Sequence, residues 1–122
     1  MSEFPLTANS RGVEIDFDEI CNLFRKYNVD RAYIFGSYIN GAFTEVSDLD
    51  FIIVPPDGMG YDFYSLWDDL EAVTNKPVDL ISEDGLTYHI DQAFAKRVFN
   101  ERICIYDRGR NPEEVRQRLW MV

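Results

Sequence analysis

Apolar residues recur along the chain at spacings of three and four, the period that predicts amphipathic helices. Asp16 is placed to cap the first helix, and Glu19 three residues later completes a capping-box pattern. The apolar face of this helix consists of Phe17, Ile20, Cys21, Phe24 and Tyr27. The same spacing predicts a second helix over 63–73 and a third, continuous helix over 86–98.

Short continuous apolar runs lie between these helices, and such runs are typical of buried strands when turn-forming residues flank them. The runs are 32–35, 50–54, 78–81 and 103–106. Helices therefore alternate with strands, which predicts an α/β or α+β domain. We expect a mixed sheet of about four strands that is flanked by helices.

The length of 122 residues is enough for one domain with a substantial core. Residues 1–14 show no periodicity and are predicted to be a flexible N-terminal lead-in. The domain itself is predicted over 15–108. Residues 109–122 are predicted to be a C-terminal helical tail, because Asn111 and Pro112 are typical of a helix start. The apolar end of this tail either folds back on the domain or contacts a partner.

Charge and hydropathy narrow the class of function. The formal net charge is −10, and an acidic surface of that size repels nucleic acid but can complement a basic protein partner. We therefore expect no direct binding of nucleic acid. The N-terminus does not resemble a signal peptide, and no apolar run approaches the ~20 residues that cross a membrane. These features predict a cytoplasmic protein without membrane contact.

The candidate chemistry lies between the first two predicted strands. Gly36 and Ser37 form a turn directly after the first strand, and backbone N–H groups with a hydroxyl suit phosphate oxygens. Asp48 and Asp50 lie at the head of the next strand, where alternate residues project to the same side. Two carboxylates held side by side repel each other unless a cation lies between them, and their oxygen atoms favour Mg²⁺. The stretch predicts a nucleotide–metal site.

A third carboxylate, Asp79, interrupts the apolar run 78–81. A carboxylate in a strand is costly to bury unless it is paired, hydrogen-bonded or bound to a metal. If its strand neighbours the strand of Asp48 and Asp50, three carboxylates converge. Such an arrangement holds two Mg²⁺ ions about 3.5–4 Å apart in phosphoryl-transfer enzymes.

The spacing of these residues resembles that of a known family. Members of the nucleotidyltransferase superfamily, which has the fold of the DNA polymerase beta palm, carry Gly-Ser, any residue, Ala-Arg-Gly, five variable residues and Ser-Asp-x-Asp. The matching positions here are Gly36, Ser37, Gly41, Ser47, Asp48 and Asp50. Ile39 and Asn40 replace the usual Ala and Arg. The resemblance covers about residues 15–107, and the short chain is similar to the minimal nucleotidyltransferases (MNT proteins), which are often antitoxin partners of HEPN-domain ribonucleases.

The resemblance implies a Mg²⁺-dependent enzyme that transfers a nucleoside monophosphate, AMP from ATP, to a hydroxyl of a HEPN toxin. It implies that Asp48, Asp50 and Asp79 are catalytic and bind two Mg²⁺ ions, with Asp79 helping to deprotonate the attacking hydroxyl. The residues that it places around the nucleotide are Gly36, Ser37, Asn40 and Ser47.

Asn40 keeps other classes of function open. The family Arg at this position is a basic residue beside the triphosphate, whereas Asn can donate a hydrogen bond but brings no charge. One alternative is a catalytically degenerate module that binds or neutralises a partner without turnover. Another is transfer to a small molecule such as an aminoglycoside, although such relatives usually have an additional helical domain. A homodimer and a hetero-oligomer both stay open.

Overall fold

The computed structural model of the chain describes residues 7–10, 13–88, 91–111 and 114–115. The longest helix in these ranges has 13 residues, and none is long and apolar enough to cross a bilayer. The elements follow in chain order as β1 (Thr7–Ser10), β2 (Val13–Asp16), α1 (Phe17–Lys26), β3 (Arg31–Phe35), α2 (Ser37–Asn40), β4 (Leu49–Val54), α3 (Asp62–Thr74), β5 (Val78–Ser82), α4 (Glu83–Thr87), α5 (Gln92–Glu101) and β6 (Ile103–Asp107).

The main sheet has four strands in the order β5–β4–β3–β6. The central strand β3 is antiparallel to both β4 and β6, whereas β4 and β5 are parallel. All four apolar runs therefore form strands of one sheet. The predicted α/β class, a mixed sheet of about four strands with helices on it, is confirmed.

The two faces of the sheet carry separate apolar clusters, because alternate residues of a strand project to opposite sides. Helices α1 and α3 cover one face with the larger cluster, which includes the fully buried side chains of Phe24, Phe51 and Leu70. Helices α4 and α5 contribute to a smaller cluster on the other face. Its buried members are Tyr33, Phe35, Ile52, Leu86, Ala95 and Val98.

Local hydrogen bonds set the ends of the helices where the sequence predicts them. The side chain of Asp16 accepts hydrogen bonds from the backbone N–H groups of Asp18 and Glu19, both at 3.1 Å, and so caps α1. Asn75 ends α3 in the left-handed conformation with φ 54°. The prediction of both helices is thereby confirmed.

The N-terminal lead-in differs from its prediction. Strands β1 and β2 form a two-stranded antiparallel hairpin in which Ala8 pairs with Ile15. The sequence predicted no regular structure before residue 15, because the short polar strand β1 has no alternation of apolar residues that could identify it. Its order comes from backbone pairing with β2. Residues 1–6 and 11–12 lie outside the described ranges, and the domain boundaries stay predictions.

The prediction of one continuous helix over 86–98 is wrong, because two helices occupy this segment. The Ser82 side chain accepts a hydrogen bond at 3.0 Å from the N–H of Gly85 and caps α4. Asp91 accepts one at 3.0 Å from the N–H of Phe94 and caps α5. Both helices place apolar residues on the same face of the sheet, so the spacing of those residues did not reveal the break. Residues 89–90 lie outside the described ranges.

The predicted C-terminal tail is described only in part. Glu114 and Val115 are helical, and the side chain of Val115 is buried. This agrees with a helix that starts near Asn111, whose backbone oxygen accepts a hydrogen bond from the N–H of Val115 at 3.1 Å. The apolar end of the tail, residues 119–122, lies outside the described ranges.

Candidate active site

The parallel pairing of β4 with β5 brings two carboxylates side by side. Asp50 and Asp79 are partners in the register, so their side chains project from the same face of the sheet. This face is the one with the smaller apolar cluster, which leaves space above the pair.

The surroundings of Asp50 favour its protonated form. Its pKa is raised from 3.8 to about 7, first by burial and then by hydrogen bonding to Asp79 and the negative charge of Asp79. The charge of Asp48 contributes a smaller part of the same increase. A divalent cation at this position would offset the negative charge of both neighbouring carboxylates at once.

Asp48 lies apart from this pair. It precedes β4, which begins at Leu49, and it is exposed. Across the residues that the structure describes, no group of three or more His, Cys, Asp and Glu side chains is arranged to hold a metal ion. The structure thus brings together Asp50 and Asp79 but not all three predicted ligands. The adjacent carboxylate oxygens of the pair still fit a hard divalent cation such as Mg²⁺.

Gly36 lies directly against the carboxylate of Asp50, at the point where β3 ends. Its φ is 78°, in the left-handed region that favours glycine. A Cβ at this position would collide with Oδ2 of Asp50 and would lie 3.1 Å from its Cγ. Only glycine therefore lets the backbone pass this close to the carboxylate, which places the predicted turn at the carboxylate pair.

The other predicted nucleotide-binding residues lie around this turn. Ser37 begins the four-residue helix α2 and is half-buried. Asn40 ends that helix, is exposed, and accepts a hydrogen bond from the N–H of Ala42 at 3.1 Å through its Oδ1. The hydroxyl of Ser47 accepts one from the N–H of Thr44 at 2.9 Å. Ser47 thus stabilises the turn before β4.

A cleft of about 570 Å³ opens over the carboxylate pair, a volume typical of small-molecule sites. Its polar lining consists of Asn40, Asp50, Asp79, Arg97 and Glu101. The remaining described residues that line it are Phe35, Gly36, Trp67, Leu80, Ile81, Phe94 and Val98. Ser37, Ser47 and Asp48 are not part of this lining. The cleft combines an apolar wall with a carboxylate pair at the glycine turn.

Sequence reasoning missed three contributors to the cleft. It did not single out Arg97 or Glu101 of α5, or Trp67 of α3. Trp67 is half-buried, and its Nε1 donates a hydrogen bond at 2.5 Å to the backbone oxygen of Val78, next to Asp79. The sequence contained only a weak indication of these residues. Arg97 and Glu101 follow Phe94 by three and seven residues, which places all three on one face of helix α5.

The fold and the site together define a class of protein. Carboxylates on neighbouring strands, next to a glycine turn and a cleft, are suited to a cation and a phosphate-bearing ligand. The chain belongs to the polymerase beta nucleotidyltransferase family, whose model matches residues 18–111.

A curated relative agrees with this assignment. The chain is 34% identical over 89 residues to MJ0435 of Methanocaldococcus jannaschii, which is named as a candidate protein adenylyltransferase. The match covers 71% of this chain and 90% of the relative. It therefore spans nearly the whole of that protein.

Solved structures share the fold. One, described as a candidate minimal nucleotidyltransferase, is 27% identical with a TM-score of 0.59, covering 71% of this chain and 86% of that chain. A toxin–antitoxin crystal structure with AMP-PNP is 19% identical with a TM-score of 0.62, covering 88% and 86%. The toxin–antitoxin MntA–HepT is 17% identical with a TM-score of 0.53, covering 86% and 81%. These last two likenesses show the fold alone.

Proposed function

We propose that this protein is a Mg²⁺-dependent protein adenylyltransferase that transfers AMP from ATP to a hydroxyl of a partner protein. The observation that carries the proposal is the adjacent pair of Asp50 and Asp79 beside Gly36 in the cleft. Membership of the nucleotidyltransferase family and the similarity to MJ0435 support the type of reaction and of acceptor.

In this proposal the three carboxylates are catalytic. Asp50 and Asp79 would hold Mg²⁺, and a site for two ions would also need Asp48, which lies outside the pair in this structure. Bound Mg²⁺ supplies charge neutralisation for the phosphates and lowers the pKa of a coordinated hydroxyl. Asp79 helps to accept the proton of the attacking hydroxyl.

The remaining predicted residues orient the nucleotide. The backbone N–H of Gly36 and the hydroxyl of Ser37 donate hydrogen bonds to the β- and γ-phosphates. Asn40 contributes a further donor, and Ser47 keeps the turn before β4 in place. The acceptor oxygen then forms a bond to the α-phosphorus while the bond to the leaving oxygen breaks, and pyrophosphate departs. Positioning and charge neutralisation supply most of the reduction in the barrier.

We further propose that the acceptor is a tyrosine of a cytoplasmic HEPN-domain ribonuclease and that the chain is its antitoxin. The similarity in fold to toxin–antitoxin complexes supports a protein partner. The net charge of −10 supports docking to a basic surface. Modification of the toxin would silence it, and the two proteins would form a hetero-oligomer at least transiently.

Labelling of the partner tests the proposal. The purified protein is incubated with Mg²⁺, ATP labelled at the α-phosphate, and the protein encoded by the neighbouring gene. We expect label on that partner, and none with the double variant Asp50→Asn, Asp79→Asn. Asp68→Asn, an exposed change on α3 outside the cleft lining, is the matched control and should label normally. Absence of label with the unchanged protein, or equal label with the double variant, would reject the adenylyltransferase.

Two observations favour a second candidate, a module that neutralises its partner by binding alone. Asn40 brings no positive charge to the cleft, and Asp48 lies apart from the carboxylate pair. In that case the double variant would still bind and neutralise the ribonuclease with unchanged potency. An enzyme would lose neutralisation together with labelling.

Transfer to a cationic small molecule, which also suits the acidic cleft, would appear as label in an acceptor screen.

A further inference from the structure

Helix α5 places a cation in the cleft, where the other charged residues of the described lining are acidic. Among the described residues that line the cleft, Arg97 is the one positive charge, whereas Asp50, Asp79 and Glu101 are acidic. The Arg97 side chain is exposed, and its Cζ lies 5.7 Å from the ring centroid of Phe94, another residue of the lining. The guanidinium therefore lies along the aromatic wall of the cleft.

Two other arginines of the described residues form salt bridges, whereas Arg97 forms none. Arg102 forms a salt bridge with Glu83 at 2.8 Å. Arg108 forms one with Asp30, also at 2.8 Å. Within the described ranges, no carboxylate oxygen lies within 4.0 Å of an Arg97 nitrogen. The N–H donors of its guanidinium are therefore available to a ligand.

A polyphosphate is the ligand that this guanidinium fits. The planar fork of an arginine donates two parallel hydrogen bonds to phosphate oxygens, which makes it a better partner for phosphate than for a neutral group. The acidic residues of the lining would repel a triphosphate unless cations offset their charge. Arg97 provides one such cation from α5, and Asn40 of α2 provides none.

We infer that Arg97 binds the phosphate chain of the nucleotide and supplies the positive charge that Asn40 lacks. The inference rests on the proposed function, because it assumes a nucleoside triphosphate in this cleft. The family motif has its arginine at the position of Asn40, in the short helix after the glycine turn. In this chain the proposed phosphate-binding arginine lies 57 residues further on (97 − 40), in helix α5. The cleft keeps a cation although the expected position has lost it.

Calorimetric titration with ATP and with inorganic tripolyphosphate, each with excess Mg²⁺, tests the inference. We expect Arg97→Gln to weaken both affinities by about tenfold or more, since a hydrogen bond to a charged group is lost. Arg97→Lys should lose less, because it keeps the charge but not the fork. Lys96→Gln is the matched control: it removes the same charge from the neighbouring exposed position, outside the cleft lining, and should change either affinity less than about twofold.

A rescue experiment separates a direct contact from general electrostatics. Asn40→Arg in the Arg97→Gln background should recover most of the lost affinity, because it restores a cation at the expected position. Adenosine, which has no phosphate, should bind the unchanged protein and Arg97→Gln equally. The thermal midpoints of Arg97→Gln and Lys96→Gln should match that of the unchanged protein, since both side chains are exposed and neither forms a salt bridge in the described part of the chain.

The readouts distinguish failure of the inference from failure of the proposed function. If Arg97→Gln binds ATP and tripolyphosphate as Lys96→Gln does, the inference is overturned, and labelling of the partner still decides the enzyme. If tripolyphosphate binding depends on Arg97 but no partner is labelled, the anion site stands and the adenylyltransferase is rejected. If the unchanged protein binds neither ligand, both are overturned.

Discussion

The two faces of the main sheet are built differently, although the same strands supply both. Towards α1 and α3, β4 projects Leu49, Phe51 and Ile53, all fully buried in the larger cluster. Towards α5, the same strand projects Asp50 and Ile52, and Asp50 lines the open cleft. One face is closely packed, and the other combines a small cluster with space for a ligand.

This difference separates stability from chemistry within a single strand. The packed face consists of fully buried side chains such as Leu49, Phe51 and Ile53, and a loss of volume there leaves a cavity. The face with the cleft accommodates the half-buried carboxyl of Asp50, because open space lies above it. Substitutions on the two faces should therefore affect different measurements, and the following predictions test that separation.

The largest effect on stability is expected for Phe51→Ala. Phe51 is fully buried and meets Phe24 edge-to-face at a centroid distance of 5.9 Å. Its truncation should lower the free energy of unfolding by about 3–5 kcal/mol. Phe94→Ala, on the wall of the cleft and half-buried, should cost only about 1 kcal/mol while weakening ATP binding. Equal losses of stability in urea titrations would contradict the contrast between the two faces.

Asp50→Asn should lower activity without lowering stability, in contrast to Phe51→Ala. We expect AMP transfer to fall by about a hundredfold or more, about 2.7 kcal/mol in activation free energy, because the carboxylate pair loses a charge. The free energy of unfolding at pH 8 should not fall, since the amide removes a buried charge. Labelling rates and urea titrations of the same preparation provide the comparison. A loss of stability that matches the loss of activity would place Asp50 among the structural residues.

Gly36→Ala should lower stability through a local clash. The new Cβ would collide with the Asp50 carboxylate at a backbone φ of 78°, which we expect to cost about 1–3 kcal/mol. Gly58→Ala is a matched control, because its φ is 74° but no atom lies within 4 Å of the added Cβ. It should cost about 1 kcal/mol from backbone conformation alone. Thermal unfolding of both variants measures the difference, and equal midpoints would argue against the close approach of Gly36.

The smallest effect concerns pH. The pKa of Asp50 is 3.8 in the unfolded chain and about 7 in the folded protein. The folded state therefore binds more protons than the unfolded state between these pH values. The free energy of unfolding should therefore fall as pH rises through this window, by about 1–2 kcal/mol once solvent screening of the half-exposed group is allowed for. Asp50→Asn lacks this contribution, so the difference in stability between it and the unchanged protein should depend on pH. Excess Mg²⁺ should reduce that dependence, and a pH-independent difference would contradict the raised pKa.

Much of the site was predictable because its residues are marked by local patterns. Gly36 follows an apolar strand, and Asp50 and Asp79 interrupt apolar runs. A polar residue in such a run is conspicuous whatever the rest of the chain does. The resemblance to the nucleotidyltransferase family added the frame that joins the turn to the first two aspartates, and the match to residues 18–111 agrees with it.

Arg97 was not predictable in the same way. Its position on α5 is that of an ordinary exposed residue of an amphipathic helix, and only the packing of α5 over the sheet brings it to the cleft. The break before Asp91 was hidden because helices α4 and α5 pack against the same face. The hairpin of β1 and β2 was hidden because its order depends on pairing between strands rather than on periodicity.

The amino-acid sequence alone determined the four strands of the main sheet and helices α1 and α3, since the periods of 3.6 and 2.0 residues are properties of the local backbone. It also determined that a glycine turn and three aspartates lie at the ends of, or within, strands. The tertiary structure decided which of these residues meet. The parallel register of β4 with β5 joined Asp50 to Asp79, left Asp48 at the edge, and set Arg97 across from them. The register and helix docking depend on packing between segments far apart in the chain, which no local period encodes.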